Sequence, residues 1–222
     1  MTPFPGGIES LANGTLILSA AAALLYLPLQ GREPSLRRTL VKTGSTALLA
    51  LLAWMEGGPA LLVAALALSA AGDAFLAQDG EKAFLAGLAS FLAAHIAYVP
   101  LFLSAGDRLE ILAGEPWRIA LAALAIAGAA VLMRRLLPAA GPGMRVPVAL
   151  YAAAILAMLL AAATVPSPVI VAGAALFVVS DSLLAAGRFL LASDSPGQRP
   201  VGAAVWIAYY LAQVAIALGF LL

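Results

Sequence analysis

The chain has 222 residues, of which 64% are hydrophobic and 10% charged, and its formal net charge at pH 7 is +1. Soluble domains are about half apolar and a quarter charged, so the composition predicts an all-α polytopic membrane protein that forms one transmembrane domain over residues 1–222. The chain has no cysteine and a single histidine, which excludes disulfides, thiolate nucleophiles and sites built on several histidines. Its small net charge gives no indication of nucleic-acid binding.

Eight apolar runs of 15–23 residues follow one another along the chain, and a helix needs about 20 residues to cross a bilayer. They cover residues 11–29, 40–54, 60–77, 83–104, 119–133, 146–164, 169–191 and 202–222. Turn signals rich in glycine and proline separate several of them, at 56–59, 78–80, 141–143, 165–168 and 195–197. We therefore expect eight transmembrane helices.

The basic residues indicate the orientation of these helices. Ten of the twelve fall in alternate connections or beside them: Arg32, Arg37, Arg38, Lys42, Lys82, Arg134, Arg135, Arg145, Arg188 and Arg199. The opposite side has only Arg108 and Arg118. The positive-inside rule then predicts both termini outside the cell, with the ten basic residues on the cytoplasmic side of the inner membrane.

Two aspartates interrupt apolar runs at similar depths. Asp73 lies in the third run and Asp181 in the seventh, each roughly 20 Å from the outer end of its helix at 1.5 Å per residue. An ionised carboxylate in hydrocarbon is costly, so each residue is a functional-site hypothesis. The alternative is structural, with the carboxylate capping a kinked helix or pairing with Lys42 or Arg188 to fix packing.

Other polar side chains lie in the same apolar runs, and we expect them to share one substrate-binding site that opens toward the cytoplasm. They are Lys42, His95, Tyr98, Tyr151, Ser180, Arg188, Tyr209, Tyr210 and Gln213. Several have a simpler interpretation. Lys42 and Arg188 could snorkel to the interface instead of contacting a lipid phosphate, Ser180 could be a small packing residue, and Tyr209 and Gln213 could join helices.

A faint internal repeat suggests two four-helix halves, 1–110 and 111–222, related as parallel repeats with the site at their interface. The segment around Gly72-Asp73 resembles that around Ser180-Asp181. Lys42 precedes Asp73 by 31 residues, and Tyr151 precedes Asp181 by 30. Such echoes also arise by chance in a chain rich in alanine and leucine.

In order and spacing, several of these pieces together resemble the YhhN-like lysoplasmalogenase family over about residues 40–215. The matching pieces are Gly72-Asp73, Phe84-x-x-Gly87-x-x-x-Phe91-x-x-x-His95-x-x-Tyr98, Tyr151 with Met158, Gly173 to Ala185, Arg188-Phe189, and Ile207-Ala-Tyr209-Tyr210-x-Ala212-Gln213. The chain departs from the family's pattern at one place, where Lys42 is followed by Thr43 and the family often has proline.

The resemblance implies an eight-helix membrane fold and a lysophospholipid substrate. Animal members of the family hydrolyse the vinyl-ether bond of lysoplasmalogens, giving a fatty aldehyde and a glycerophospho-base. Such chemistry needs a proton donor and a group that activates water, and two carboxylates can divide these roles. Because Ser180 stands beside Asp181 as a hydrogen-bond partner that would favour its ionised form, we expect Asp73 to be the acid.

No cofactor or metal is required for this reaction, although the two aspartates and His95 could ligate a divalent ion. Two further classes of function fit the sequence. One is a proton-coupled transporter or lipid-binding membrane protein with an acidic centre. The other is a hydrolase of another lysolipid that uses the same carboxylates.

Overall fold

A computed structural model describes residues 2–106, 109–192 and 194–222. Over these residues the chain is helical and contains no strand, which confirms the all-α prediction. Its α-helices are α1 (Leu11–Tyr26), α2 (Leu36–Met55), α3 (Ala60–Leu76), α4 (Glu81–Ala105), α5 (Leu109–Gly114), α6 (Pro116–Ala140), α7 (Pro142–Ala162), α8 (Pro168–Phe189) and α9 (Gln198–Leu221). Arg108, which the charge pattern places outside the membrane, lies beyond the described residues.

Six stretches of these helices are long and apolar enough to cross a membrane. They are Leu11–Leu29, Glu81–Ala105, Pro116–Ala140, Pro142–Ala162, Pro168–Phe189 and Gln198–Leu221. The helix α3 is apolar but has only 17 residues, and α2 has 20 residues with three basic side chains in its first two turns. The protein is therefore a multi-pass membrane protein.

Local sequence explains where the helices begin. The side chains of Ser10 and Ser35 accept hydrogen bonds from backbone N–H groups at the starts of α1 and α2, as N-cap residues do. Helices α6, α7 and α8 each begin with proline, which lacks the N–H that a first turn leaves unpaired. A single residue, Gly141, separates α6 from α7, and its φ of +75° favours glycine.

Helix α6 is longer than its apolar run predicts. The run covers 119–133, whereas the helix continues to Ala140 through Arg134 and Arg135, whose side chains are exposed. Hydropathy identifies only the apolar part of a helix. The backbone hydrogen bonds of the helix do not depend on apolar side chains, so the helix can extend beyond that part.

The contacts divide the chain into two compact units. The first comprises Met1–Leu101 and Gln213–Leu222, and the second Phe102–Ala212. In the first unit α1 packs on α2 and α2 on α3. Helices α3 and α4 approach closely at Gly72, where an added Cβ would lie 2.6 Å from Cε2 of Phe91. In the second unit α6, α7 and α8 pack together.

In the second unit, the buried side chain of Arg118 joins α6 to the connection between α7 and α8. Its Nη1 donates to the carbonyl oxygens of Ala163 at 3.1 Å and Val165 at 2.6 Å, and its Nη2 donates to Pro166 at 3.0 Å. Its Nε donates to Oε2 of Glu115 at 2.9 Å. Since carbonyls at the end of a helix lack partners within it, Arg118 caps α7.

Candidate functional site

In the first unit, Asp73 is buried with two donors from α2. Its side chain is 2% exposed. Nζ of Lys42 lies 3.6 Å from Oδ1 of Asp73, and Oγ1 of Thr46 donates to Oδ2 at 2.9 Å. Lys42 and Thr46 are four residues apart, which puts them on one face of α2. Both oxygens of the carboxylate are therefore held by the same neighbouring helix.

Lys42 is itself largely enclosed. It is 8% exposed, and its Nζ lies 5.6 Å from the centre of the Tyr26 ring, within range of a cation–π interaction. The ammonium thus lies between a carboxylate and an aromatic ring. This is the pairing of Asp73 with Lys42 that sequence analysis gave as the structural alternative.

In the second unit, Asp181 on α8 pairs with Tyr151 on α7. The phenol oxygen of Tyr151 donates to Oδ2 of Asp181 at 2.5 Å. Both residues are partly exposed, in contrast to Asp73. Because Asp181 retains some access, it is the better placed of the two carboxylates to meet a reactant in this structure.

Aromatic rings from α9 pack beside the same face of α8. Phe177, one turn before Asp181, meets the ring of Tyr209 edge-on at a centroid distance of 5.5 Å. Trp206 contacts Tyr209 at 5.6 Å and stacks on Tyr210 at 6.3 Å. Trp206 and Tyr209 are buried and Tyr210 is partly exposed. The phenol–carboxylate pair on α7 and α8 therefore lies next to a largely aromatic helix contact.

Ser180 does not support Asp181 in the way expected. Its hydroxyl is buried and donates to the carbonyl oxygen of Val205 at 3.0 Å, joining α8 to α9. A hydroxyl has one hydrogen to donate, so this one is not available to Asp181. The reason for choosing Asp73 as the acid is therefore removed.

Tyr98 and Gln213 form a second polar contact in the first unit. The phenol oxygen of Tyr98 donates to Oε1 of Gln213 at 2.7 Å, and both side chains are fully buried, as is His95. Tyr98 follows Phe91, which meets Gly72, by seven residues, so it lies about 10 Å further along α4 than the level of Asp73. The contact joins α4 to α9, as a polar link between membrane helices does.

The remaining predicted residue, Arg188, lies in the last turn of α8 with its side chain exposed. Within the described parts of the chain, no three His, Asp or Glu side chains are grouped so that they could hold a metal ion. Sequence analysis missed Thr46 and Tyr26 as partners in the Asp73 site. The spacing of Thr46 from Lys42, one helical turn, was the available signal.

Comparison with known proteins agrees with the resemblance seen in the sequence. Two curated relatives named lysoplasmalogenase, from Mycobacterium bovis and Mycobacterium tuberculosis, are each 32% identical to the chain over 162 residues. The matched region is 72% of this chain and 59% of each relative. No solved structure matches. The model of the YhhN family matches residues 37–220, which is most of the chain, and the protein therefore belongs to the YhhN family.

Proposed function

We propose that this protein is a membrane hydrolase that cleaves the vinyl-ether bond of lysoplasmalogens to a fatty aldehyde and a glycerophospho-base. The observation that carries the proposal is the 32% identity to two proteins named lysoplasmalogenase. The aspartates in apolar helices, each with a hydrogen-bond donor beside it, support it chemically. The substrate is a lysophospholipid taken from the bilayer.

The reaction consumes one water and needs one proton donor. A carboxylic acid protonates the alkene carbon that is not bonded to oxygen, and an oxocarbenium ion forms at the other. Water adds to that carbon while a carboxylate takes its proton. The hemiacetal then loses the glycerol oxygen, which takes the proton that the carboxylate had accepted from water. The hemiacetal hydroxyl gives its proton back to the first acid as it becomes the carbonyl of the aldehyde. We assign these two roles to Asp73 and Asp181.

We further propose that the chain crosses the inner membrane eight times with both termini outside. In this proposal α2 and α3 cross as well, joining the six apolar stretches that already meet the length requirement. The site then opens toward the cytoplasm, where Arg188 binds the substrate phosphate. Tyr151, Tyr209 and Tyr210 line the path by which the substrate enters the site.

The hypothesis of two repeat halves, 1–110 and 111–222, gains support from one correspondence. Asp73 pairs with Lys42, 31 positions before it, and Asp181 pairs with Tyr151, 30 positions before it. In each half, the aspartate therefore takes a partner from the preceding long helix at nearly the same spacing.

Aldehyde release in detergent tests the proposal. We expect aldehyde from a vinyl-ether lysophospholipid and none from its saturated ether analogue. Asp73→Asn and Asp181→Asn should each abolish release, whereas Asp194→Asn, in an exposed connection, should not. Release from ester lysolipids instead would indicate another lysolipid hydrolase. No release from any lysolipid, together with solute uptake by sealed proteoliposomes, would indicate a carrier.

A further inference from the structure

Ser69 on α3 carries a buried hydroxyl that no described residue binds. The residue is 0% exposed, and its Oγ has no hydrogen-bond partner among residues 2–106, 109–192 and 194–222. Elsewhere in the chain such hydroxyls donate to a carbonyl of the preceding helical turn, as Thr15 does to Leu11 and Ser45 to Lys42. Because an unpaired hydroxyl in an apolar interior costs free energy, Ser69 favours the binding of a polar group from outside the chain.

The residues of α2 that face Ser69 offer it no partner. Helices α2 and α3 are consecutive and pack together, and Thr46 of α2 donates to Asp73 of α3. Helices joined by a short connection run antiparallel, so the next turn of α2 lies at the level of Ser69. That turn carries Leu49 and Ala50, which are buried and apolar. The sequence thus places a hydroxyl on α3 opposite apolar side chains of α2.

Ser69 and Asp73 lie one helical turn apart on the same buried face of α3. Four positions separate them, which is about 6 Å along the helix axis. In a lysoplasmalogen, four or five bonds join the two alkene carbons to the oxygen of the free glycerol hydroxyl, an extended reach of about 5–6 Å. A substrate whose alkene contacts Asp73 can therefore place this hydroxyl beside Ser69.

We propose that Ser69 binds the free glycerol hydroxyl of the substrate and thereby makes the site specific for lipids with one chain. This inference rests on the proposed function and names the group by which the protein recognises its substrate. A serine hydroxyl both donates and accepts, so the two hydroxyls satisfy each other in apolar surroundings. An ester at the same glycerol position has no hydrogen to donate, and it carries a second acyl chain that a fully buried serine would exclude.

A stability measurement tests the unpaired state of Ser69 without any substrate. Ser69→Ala removes a buried hydroxyl that has no partner in the described chain, so we expect its melting temperature in detergent to equal or exceed that of wild type. Ser90→Ala on α4 is a matched control, because the hydroxyl of Ser90 donates to the carbonyl oxygen of Leu68 at 2.7 Å. This control should melt below wild type. A Ser69→Ala variant destabilised as much as Ser90→Ala would overturn the inference.

Binding of an unreactive lipid tests the contact with the hydroxyl. A saturated ether lysophospholipid keeps the glycerol hydroxyl without the vinyl-ether bond, and its 2-deoxy analogue lacks only the hydroxyl oxygen. We expect wild type to bind the hydroxyl-bearing lipid about three- to tenfold more tightly than the deoxy lipid, and Ser69→Ala to bind the two lipids equally. The same preference in wild type and Ser69→Ala would overturn the inference.

Kinetics distinguish the substrate hydroxyl from a water molecule as the ligand of Ser69. On a vinyl-ether lysophospholipid, Ser69→Ala should lower kcat/KM by about three- to tenfold. On the 2-deoxy vinyl ether it should leave kcat/KM unchanged. If Ser69 instead held the water that reacts, both substrates would lose the same factor, and equal losses would overturn the inference. Ser90→Ala should affect the two substrates alike.

Failure of the inference and failure of the proposed function look different. If wild type releases no aldehyde from any lysoplasmalogen, the proposed function fails, while binding of the unreactive lipids still decides whether Ser69 recognises the hydroxyl. If wild type releases aldehyde and Ser69→Ala keeps the full preference for the hydroxyl-bearing substrate, the proposed function stands and Ser69 does not determine specificity.

Discussion

The phenol of Tyr151 donates a 2.5 Å hydrogen bond to Oδ2 of Asp181, and the two residues lie on consecutive helices of the second unit. The bond holds Oδ2 of the carboxyl group in place. A carboxyl group that exchanges a proton during a reaction must be held in this way, since proton transfer requires the two groups to be aligned.

Replacing Tyr151 by phenylalanine therefore tests the role of this bond. We expect Tyr151→Phe to lower aldehyde release by about tenfold or more while its melting temperature stays near that of wild type. Adding Tyr151→Phe to Asp181→Asn should cause no further loss, because the phenol acts through the carboxyl group. A Tyr151→Phe variant with full activity would place the pair outside the reaction.

The contact of Tyr98 with Gln213 predicts coupled stability. Oε1 of Gln213 accepts from Tyr98, whereas its buried Nε2 has no hydrogen-bond partner among residues 2–106, 109–192 and 194–222. Tyr98→Phe and Gln213→Leu should each destabilise the protein, with a coupling energy of about 0.5–1.5 kcal/mol in a double-mutant cycle of thermal or denaturant unfolding. A coupling of zero would show that the two side chains do not stabilise one another.

Arg118 should be among the most sensitive positions in the chain. Arg118→Met removes the donors of three carbonyl oxygens, and we expect it to lower the free energy of unfolding by about 3–5 kcal/mol. Arg135→Met is a matched control on the same helix, where the side chain is exposed. In detergent, the free energy of unfolding of Arg135→Met should stay within about 0.5 kcal/mol of wild type. Equal free energies of unfolding for Arg118→Met and Arg135→Met would show that Arg118 does not stabilise the end of α7.

The same cluster predicts a pH effect outside the apolar part of α6. The hydrogen bond from Arg118 lowers the pKa of Glu115 from its ordinary value of 4.5, with a smaller contribution from Trp117. Since this pKa is lower in the folded state, the contact stabilises the fold above about pH 4.5 and the gain is lost as the pH falls through the folded value.

We expect the melting temperature of wild type to fall more steeply below pH 4.5 than that of Glu115→Gln. The effect should be small, because Glu115 is largely solvated. If the melting temperatures of the two proteins fall in parallel with pH, the acid sensitivity comes from groups other than Glu115.

The close approach of α3 and α4 predicts opposite effects at two glycines. A methyl group at Gly72 would meet the ring of Phe91 at 2.6 Å, whereas nothing lies within 4 Å of the corresponding position at Gly44. Gly72→Ala should destabilise the protein by about 1–3 kcal/mol, and Gly44→Ala should be neutral or stabilising, since alanine favours helices. Phe91→Leu should partly rescue Gly72→Ala, and the absence of rescue would point to another cause.

Hydropathy predicted where most helices lie because an apolar run of membrane length has few other stable structures. The breaks predicted at 56–59 and 78–80 fall between helices, because both contain glycine, which favours turns over helix. Composition alone could not predict the length of α6 beyond its apolar run, nor the short helix α5 before it.

Partners of the polar residues were harder to predict. The sequence placed Asp73 and Asp181 in apolar helices. It offered Lys42 or Arg188 as the structural partner of an aspartate, but it gave Tyr151 only as a spacing from Asp181. Which side chains meet depends on how each helix is rotated about its axis, and an apolar run that faces lipid on one side and protein on the other carries little periodic signal. Thr46 was missed, and Ser180 was given the wrong partner, for this reason.

The cap formed by Arg118 has a consequence for biosynthesis. Its carbonyl partners lie 45–48 residues later in the chain, so a nascent chain carries the guanidinium in α6 well before the groups that solvate it exist. Chains that stop before residue 166 therefore lack part of this solvation and should be preferred targets of membrane quality control. The native packing of α6 is then reached late, when the α7–α8 connection has been synthesised and Arg118 can bind its carbonyl groups.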